Sequence, residues 1–376
     1  MAVKLKSIEE QTLVITGASS GIGLCTARIA ADRGANVVAV ARNEEALKQL
    51  CDEINSKQGG RSAYAAGDVA DETVLRHAAD VAEREFGGFD TWVNDAGGSI
   101  YGRIMDVPLE DFKRMFDTNL WGLVIGSRIA VEHLRERGGA LINLGSEVSD
   151  SPIPIQGLYS ASKHAVKAFT EALKMEVEAD GLPISVSLIK PGATFTQFTE
   201  NARNYLPYEP LLPPPVFAPD LVAEAILYCA ENPTKEFIVG EAAKLRISMH
   251  TWAPAAGEIL NEMTIDSMQN SGKPAVPNRP DGLYSTNSKL KERGDDSRYV
   301  VETSPYVTSK MHPWLTAGLA VGSGLAIAAL WNSFGRTRTH NDGPRINQQR
   351  ISRSPREGSV DESFSREFNE RSAGGF

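Results

Sequence analysis

Short apolar segments alternate with longer amphipathic segments along the first 240 residues. Continuous apolar or β-branched runs predict strands at 12–16, 36–41, 62–66, 90–94, 140–145, 184–190 and 236–240. Amphipathic patterns predict helices at 21–33, 43–57, 71–86, a stretch ending near 137, 159–179 and 219–231. Apolar strands separated by helices are typical of a parallel sheet covered on both faces. The pattern therefore predicts an α/β fold, a Rossmann-like doubly wound parallel sheet, as a single domain over residues 1–270.

The composition changes after this predicted domain. Residues 271–312 are rich in Pro, Ser, Asn and charge and predict a flexible linker. Residues 314–331 carry no charge, begin and end with a tryptophan and contain a GxxxG pattern, which predicts a membrane-spanning helix over 313–334. A buried helix or an oligomer contact is the alternative. Residues 335–376 have few apolar side chains and predict a disordered tail.

Charge and cysteine usage exclude several function classes. The net charge of −9 argues against a nucleic-acid binder held by phosphate contacts. Cys25, Cys51 and Cys229 are far apart and form no CxxC pair. We therefore expect free thiols in a reducing compartment and no metal site.

A glycine-rich turn joins the first predicted strand to the first predicted helix. Thr16 begins this turn, and the residues that follow it are Gly17, Ala18, Ser19, Ser20, Gly21, Ile22 and Gly23. Glycine lets the backbone approach a pyrophosphate, and a helix N-terminus offers unpaired N–H groups and a positive dipole end. The turn predicts a dinucleotide cradle, with a tight turn that binds no ligand as the alternative.

The end of the second predicted strand favours one cofactor over the other. A fold that prefers NAD carries an acidic side chain there for the ribose 2′-hydroxyl. In this chain the acid is missing and Arg42 follows the strand, and a guanidinium matches a 2′-phosphate. We therefore expect NADP(H) rather than NAD(H). The alternative is a solvated Arg42 that pairs with Glu44 or Glu45.

Three residues further along the chain form a candidate proton-transfer site. Tyr159 and Lys163 are four residues apart, so on a helix they lie on one face. A neighbouring ammonium lowers the pKa of a phenol, which is ordinarily near 10, so Tyr159 can act as general acid or base. Ser146 ends a predicted strand, where its hydroxyl can hold a substrate oxygen against Tyr159. A surface Tyr–Lys pair and a turn serine are the alternatives.

The motifs together resemble the short-chain dehydrogenase/reductase family over about residues 8–245. The matching segments are 16–23, Asp68-Val69, Asn94-Asp95-Ala96-Gly97, Asn119, Ser146, 159–163 and Pro191-Gly192. The resemblance implies hydride transfer between a nicotinamide and a carbonyl/hydroxyl pair. It implies catalytic roles for Asn119, Ser146, Tyr159 and Lys163, with Lys163 also binding the nicotinamide ribose and Asn119 anchoring a proton-relay water.

The resemblance also extends the cofactor site. Asp68 and Val69 resemble adenine contacts, and the segment around Pro191 resembles the one that fixes the carboxamide. Asp95 departs from the family's asparagine at a position that braces the sheet and the cofactor loop. The expected cofactor-binding residues are Gly17, Ser19, Ser20, Gly21, Ile22, Gly23, Arg42, Asp68, Val69, Asn94, Ala96, Gly97, Tyr159, Lys163, Pro191, Gly192, Thr194 and Thr196.

Residues 195–217 occupy the position of the family's substrate lid. Their apolar and aromatic content predicts a lipophilic substrate, and packing of the lid onto the body is the alternative. The family also makes a homo-oligomer the expectation. The alternative function is a membrane-tethered nucleotide-sensing or scaffold protein without turnover.

The predicted location follows from the two ends of the chain. Residues 1–7 lack the apolar run of a secretory signal. Arginines after the apolar segment favour a cytoplasmic tail by the positive-inside rule. A long N-terminal domain that needs NADP(H) favours the opposite orientation. We expect a membrane-anchored enzyme whose catalytic domain lies on the cytosolic face.

Overall fold

The chain folds around a sheet of parallel strands, and the computed structural model describes residues 3–286, 289–295 and 299–312. The strands are β1 (Thr12–Thr16), β2 (Asn36–Ala41), β3 (Ser62–Ala66), β4 (Thr91–Asn94), β5 (Ile100–Tyr101), β6 (Gly139–Leu144), β7 (Ile184–Pro191), β8 (Arg203–Asn204), β9 (Tyr208–Pro210), β10 (Val216–Phe217), β11 (Glu236–Val239), β12 (Asn270–Pro274) and β13 (Val300–Val301). The α-helices are α1 (Gly21–Asp32), α2 (Glu44–Asn55), α3 (Glu72–Phe86), α4 (Leu109–Phe116), α5 (Leu123–Arg137), α6 (Gly157–Ala179), α7 (Phe198–Asn201), α8 (Pro219–Glu231), α9 (Glu241–Trp252), α10 (Pro254–Met268) and α11 (Pro305–Met311).

Strand order confirms the predicted Rossmann-like fold. Among the described residues, the central sheet has seven strands in the order β3-β2-β1-β4-β6-β7-β11, all parallel. Chain order reverses between β1 and β4, where Leu13 of β1 lies opposite Thr91 of β4. In such sheets ligands bind beyond the carboxyl ends of the strands at this reversal.

The strands could be predicted from sequence because the sheet is buried on both faces. Every residue of β1, β6 and β7 is buried, and Trp92 of β4 is fully buried. One face packs against α1 and α8, and the other packs against α3, α5 and α6. A strand covered on both faces has apolar side chains at consecutive positions, so it appears as a continuous apolar run.

Capping residues set the helix ends within a few residues of the predicted ones. The Asn43 side chain accepts a hydrogen bond from the Ala46 amide at 3.1 Å, so α2 begins one residue later than predicted. The Asp71 carboxylate caps α3 by accepting from the Thr73 amide at 2.9 Å. Gly87, at φ 76°, ends α3 in the left-handed conformation that glycine favours.

The structure differs from the prediction of a flexible linker over 271–312. In the described part of this segment, β12 pairs with β9, and β13 pairs with β10. Helix α11 docks on the body through Val307, which is fully buried in the core beside α8, and Ser304 caps this helix. Few apolar residues anchor the segment, so its average composition resembles that of a linker although its backbone is paired and packed.

The predicted membrane helix over 313–334 and the predicted tail over 335–376 lie outside the described residues. The helices formed by the described residues include none that is both long and apolar enough to cross a membrane.

Replacing the buried anchor of α11 tests whether this segment belongs to the fold. Val307→Ala removes two methyl groups from a fully buried site, and we expect the free energy of unfolding to fall by about 1–3 kcal/mol. Thr308→Ala, at the neighbouring exposed position of α11, is the control and should change it by less than about 0.5 kcal/mol. Urea denaturation measures both values. Equal stability of the two variants would show that α11 is not docked in solution.

Candidate active site

A cavity of about 270 Å³ lies at the carboxyl ends of the central strands. Its lining comes from the loops that follow β1, β2, β3, β4, β6 and β7, together with the start of α6. Each of these strands ends at the same edge of the sheet, because all of them run parallel. The fold therefore brings segments that are far apart in sequence to one place, at the reversal between β1 and β4.

The glycine-rich turn has the geometry of a phosphate cradle. Gly17 has a φ of +78° and Gly21 a φ of +58°, a region that only glycine adopts readily. A Cβ atom at Gly23 would lie 2.6 Å from the Gly17 carbonyl oxygen. Gly23 therefore permits the close packing of α1 on the turn and does not line the cavity itself. Ser19, Ser20, Gly21 and Ile22 do line it, in front of the N-terminus of α1.

A C-terminal strap, residues 279–286 and 289–295, borders this cradle. The Gly21 amide at the start of α1 donates to the Lys291 carbonyl at 3.0 Å. Gly282, Leu283 and Thr286 of the strap line the cavity. The sequence analysis missed this wall, because the only local signal was a pair of isolated leucines among polar residues.

Arg42 lies at the cradle but does not pair with Glu44 or Glu45. Its guanidinium donates to the carbonyls of Gly282 at 2.5 Å and Leu283 at 3.4 Å. Burial lowers the pKa of Arg42, and the neighbouring Arg114 lowers it further, whereas Asp68 raises it. The alternative of a solvated surface arginine is therefore wrong, and Arg42 is available at the edge of the cavity.

The two residues predicted to contact adenine differ in their surroundings. Asp68 forms an ion pair with Arg114 of α4, and its other carboxylate oxygen accepts from the Ala70 amide at 3.0 Å. Arg114 also donates to the Leu283 carbonyl at 3.2 Å. Val69 is buried and packs closely against Gly122. A Cβ atom added at Gly122 would lie only 2.7 Å from a methyl group of Val69. Both Asp68 and Val69 line the cavity.

Ser146, Tyr159 and Lys163 converge on the cavity from two elements. Ser146 follows β6 and caps a short 3₁₀ turn by accepting from the Val148 amide at 3.3 Å. Tyr159 and Lys163 lie one turn apart on α6, and the Ser146 side chain is hydrogen-bonded to Tyr159. The Lys163 Nζ donates to the Leu144 carbonyl at 2.7 Å and lies 5.9 Å from the centre of the Tyr159 ring. All three residues line the cavity.

Burial changes the expected titration of this group. Burial raises the pKa of Tyr159 above the ordinary phenol value, and the hydrogen bond from Ser146 opposes that rise. Burial lowers the pKa of Lys163 to about 8, while the Asp95 carboxylate acts in the opposite direction. The sequence analysis expected Lys163 to lower the pKa of Tyr159, whereas burial, the largest cause, raises it in this structure.

Asn119 joins the loop after β4 to helix α6. It lies in a π-helical turn, Asp117–Gly122, between α4 and α5. Its Oδ1 accepts from the Gly98 amide at 2.8 Å, and its Nδ2 donates to the Gly98 carbonyl at 2.9 Å and to Ser162 Oγ at 3.1 Å. This side chain is 1 % exposed and lines the cavity wall. Its hydrogen bonds fix the position of the loop after β4 relative to helix α6, which carries Lys163.

Residues at and just after the end of β4 contact either the sheet or the cavity. Asn94 is buried, and its Nδ2 donates to Asn143 Oδ1 of β6 at 2.8 Å. It does not line the cavity, contrary to its predicted place in the cofactor site, because its amide braces two strands. Ala96 and Gly97 do line the cavity, and the Ala96 amide donates to Thr16 Oγ1 at 3.1 Å.

Asp95 is a half-buried acid between the cradle and Lys163. Its carboxylate accepts a hydrogen bond from the Gly23 amide. Burial raises its pKa to about 7, and the positive charge of Lys163 and this hydrogen bond oppose the rise. The carboxylate stands where the family resemblance implied an asparagine side chain. It contacts the start of α1 through the Gly23 amide and interacts electrostatically with Lys163.

The segment after β7 closes the opposite side of the cavity. The Gly192 amide donates to the Val239 carbonyl at 3.0 Å, which ties the segment to β11. Thr194 Oγ1 donates to the Gly192 carbonyl at 3.0 Å. Thr196 packs against Gly21: a Cβ atom added at Gly21 would lie 3.2 Å from the Thr196 side chain. Pro191, Gly192, Thr194 and Thr196 all line the cavity.

Most of the apolar residues at 195–217 pack the lid onto the body. Phe195 and Phe217 are buried, and the hydroxyl groups of Tyr205 and Tyr208 donate to Asp111 and Asp266. Of the ten apolar or aromatic residues that motivated the lipophilic prediction, only Phe198, Leu212 and Pro213 line the cavity. The aromatic content of this segment is therefore explained by packing and gives no support to a lipophilic substrate.

The sequence matches a known protein family and a bacterial relative. A family model described as short chain dehydrogenase matches residues 11–206. The YxnA oxidoreductase of Bacillus subtilis strain 168 is 42% identical over 323 residues, covering 85% of this chain and 90% of that protein.

Two solved structures resemble the fold. An alcohol dehydrogenase from the archaeon Thermococcus sibiricus, complexed with 5-hydroxy-NADP, has a TM-score of 0.54 at 26% identity, over 61% of this chain and 95% of its own. The L-sorbose reductase of Gluconobacter frateurii, complexed with NADPH and L-sorbose, has a TM-score of 0.54 at 25% identity, over 64% of this chain and 97% of its own.

The raised pKa of Asp95 has a consequence for stability. Because the folded-state pKa is about 7 and the ordinary value is 3.8, the folded protein keeps a proton that the unfolded chain loses within this window. The contribution of Asp95 to stability should therefore fall as the pH rises from about 4 to about 7 and stay constant above that range. Asp95→Asn removes this titration.

Urea denaturation of wild type and Asp95→Asn at several pH values measures the effect. We expect the difference in unfolding free energy to shift in favour of the variant as the pH rises through this window. A difference that does not depend on pH would contradict a raised pKa of Asp95 in the folded protein. Exposed Asp52→Asn, on α2, is the matched control.

Proposed function

The chain belongs to the short-chain dehydrogenase family, and we propose that it is an NADP(H)-dependent oxidoreductase that interconverts a carbonyl and a hydroxyl group. The observation that carries the proposal is the convergence of Ser146, Tyr159 and Lys163 on the cavity that the glycine-rich turn borders. The cradle fits a dinucleotide because Ser19, Ser20 and Ile22 line the cavity at the N-terminus of α1, where backbone N–H groups and the helix dipole favour a phosphate.

A bound nicotinamide supplies the hydride, and the protein supplies position and a proton. The Ser146 hydroxyl holds the substrate oxygen beside Tyr159. The Tyr159 hydroxyl donates its proton to that oxygen in reduction and accepts it back in oxidation. A phenol is protonated at neutral pH, and burial raises the pKa of Tyr159 further, which favours the role of general acid over that of general base. Lys163, with a pKa of about 8, exchanges protons near neutral pH beside it.

Arg42 is the residue that supports NADP(H) over NAD(H). Its guanidinium lies at the end of β2 and donates to two backbone carbonyls of the strap, which are groups that a phosphate oxygen can replace as acceptor. Arg114 lies beside it and adds positive charge at the same end of the cavity. The two structural relatives described above were both solved with an NADP-type ligand.

Membrane attachment and self-association remain part of the proposal. We place the anchor at residues 314–331, with the catalytic domain on the cytosolic face and a homo-oligomer as its assembly. The charge-free apolar run supports the anchor. Complete release of the full chain from membranes without detergent would contradict it.

Removing the proton donor tests the catalytic assignment. Tyr159→Phe keeps the ring and its contact with Phe198 but removes the hydroxyl, so we expect kcat to fall by about 10²–10⁴-fold. The Kd for NADPH should change by less than about twofold, since the cradle is untouched. Tyr228→Phe on α8 is the matched control and should keep full turnover. Normal turnover by Tyr159→Phe would overturn the assignment.

Reversing the charge at the end of β2 tests the cofactor preference. Arg42→Asp should weaken NADPH binding by about 10–100-fold, because a charge-assisted hydrogen bond is replaced by repulsion of the 2′-phosphate. NADH binding should change far less. Arg135→Asp, at the exposed end of α5, is the control. Titration by nicotinamide fluorescence gives the ratio of the two Kd values, and an unchanged ratio would exclude Arg42 from cofactor choice.

A further inference from the structure

The strap places backbone carbonyls against donors at the two places where the proposed function requires phosphate binding. The Gly21 amide, at the N-terminus of α1, donates to the Lys291 carbonyl at 3.0 Å. The Arg42 guanidinium donates to the Gly282 carbonyl at 2.5 Å and to the Leu283 carbonyl at 3.4 Å. Phosphate oxygens accept hydrogen bonds from helix N-termini and from guanidinium groups. A strap carbonyl and a phosphate oxygen thus match the same N–H groups.

Two arginines converge on one of these strap carbonyls. Arg114 Nε of α4 donates to the Leu283 carbonyl at 3.2 Å, beside the contact from Arg42. Arg114 also pairs with the Asp68 carboxylate, whereas the strap offers Arg42 neutral carbonyl oxygens. A phosphate oxygen carries charge, so it forms a stronger hydrogen bond with a guanidinium than a neutral carbonyl does. A phosphate can therefore displace the strap from Arg42.

Contacts outside the cavity hold the first half of the strap, residues 279–286, to the lid and to α4. Arg203 Nε of the lid donates to Asp281 Oδ2 at 2.8 Å. The Tyr284 hydroxyl donates to Asp111 Oδ1 of α4 at 2.8 Å. Asp111 is buried, and its other carboxylate oxygen accepts from Arg203 at 3.0 Å. The lid, the strap and α4 therefore meet at one carboxylate.

Ion pairs hold the second half of the strap, residues 289–295, to α1 and α8. Glu292 lies 2.9 Å from Arg28 of α1, measured from Oε1 to Nη1. Arg293 Nη2 donates to Asp220 Oδ2 of α8 at 2.9 Å. None of these four residues lines the cavity, and neither do Asp111, Arg203, Asp281 and Tyr284. The outer contacts can therefore be weakened without changing a group that lines the cavity.

We propose that the strap is an autoinhibitory element, whose carbonyls occupy the phosphate-binding donors Gly21 and Arg42 in the free protein and give them up when a dinucleotide binds. This inference rests on the proposed cofactor binding and adds a step that regulates it. The apparent Kd for the cofactor is then the intrinsic Kd divided by the fraction of molecules whose strap is open. Weakening the outer contacts raises this fraction and should tighten binding, which is the reverse of what the loss of a binding residue does.

A double variant of the full chain tests the direction of this effect. Tyr284→Phe/Glu292→Gln removes one outer contact from each half of the strap. We expect the Kd for NADPH, measured by nicotinamide fluorescence, to fall by about 3–10-fold. Tyr299→Phe/Glu53→Gln is the matched control, since Tyr299 is 86 % exposed and Glu53 pairs with Arg28 from α2, away from the strap. The Kd of the control should stay within about twofold of the wild-type value.

Tryptic cleavage of the wild-type strap provides a second measurement that needs no variant. Lys289, Lys291 and Arg293 are cleavage sites within the second half of the strap. Cleavage of a segment that opens transiently follows the population of its open form. Saturating NADPH should therefore speed up cleavage at these three sites by about threefold or more, because it keeps the strap displaced. Mass spectrometry of the fragments separates these bonds from other tryptic sites.

The outcomes separate this inference from the proposed function. A higher Kd in the double variant, or protection of the strap by NADPH, would overturn the inference, because the strap would then close over the bound cofactor. An unchanged Kd would also overturn it, since strap and cofactor would not compete. In each of these cases NADPH still binds and the proposed function stands. Absence of NADPH binding by both wild type and the double variant would overturn the proposed function, and this inference with it.

Discussion

The close packing of helix α1 on the turn after β1 is the constraint on which the site depends. No side chain fits at Gly23, where a Cβ would lie 2.6 Å from the Gly17 carbonyl oxygen and 2.8 Å from the Asp95 carboxylate. This contact fixes the direction in which the helix N-terminus points, and the same carboxylate lies within electrostatic reach of Lys163. The cradle and the proposed proton-transfer group of Ser146, Tyr159 and Lys163 are thereby held in one geometry by this junction.

Burial of charge is the second property of the site. Loss of hydration is the largest cause of the pKa shift of Asp95, Glu147, Tyr159 and Lys163. In such surroundings each charge acts strongly on its neighbours. Glu147 and Asp95 add to the rise in the pKa of Tyr159 that burial causes, so the hydroxyl is a weaker acid than a free phenol. In the proposed mechanism, the protonated hydroxyl is the form that carbonyl reduction requires.

The sheet and most of the site could be predicted from sequence, because their signals are local. A strand buried on both faces is a continuous apolar run, as in β1 and β7. The glycine-rich turn can be recognised from the strand and the helix that flank it. The Tyr159–Lys163 spacing can be recognised from the helix that contains it. The direction of the Tyr159 pKa shift was not predictable in this way, because it depends on burial by segments far away in sequence.

Long-range packing accounts for what the sequence did not reveal. The segment after residue 270 has a polar composition, yet Leu283, Leu290 and Val307 attach it to the body. Tyr205 suggested an apolar lid, but its hydroxyl binds Asp111 and its ring belongs to the packing. Gln269 follows α10, beyond the region of family resemblance, and reaches the cavity only because the chain folds back. Composition averaged over a segment does not report such single contacts.

The central claim is that this cradle binds a nicotinamide dinucleotide. Calorimetric titration of the full chain with NADPH, followed by NADH, tests it without any assumption about substrate. The account predicts saturable binding of one NADPH for each chain, with NADH binding more weakly. Absence of saturable binding by either dinucleotide would contradict it.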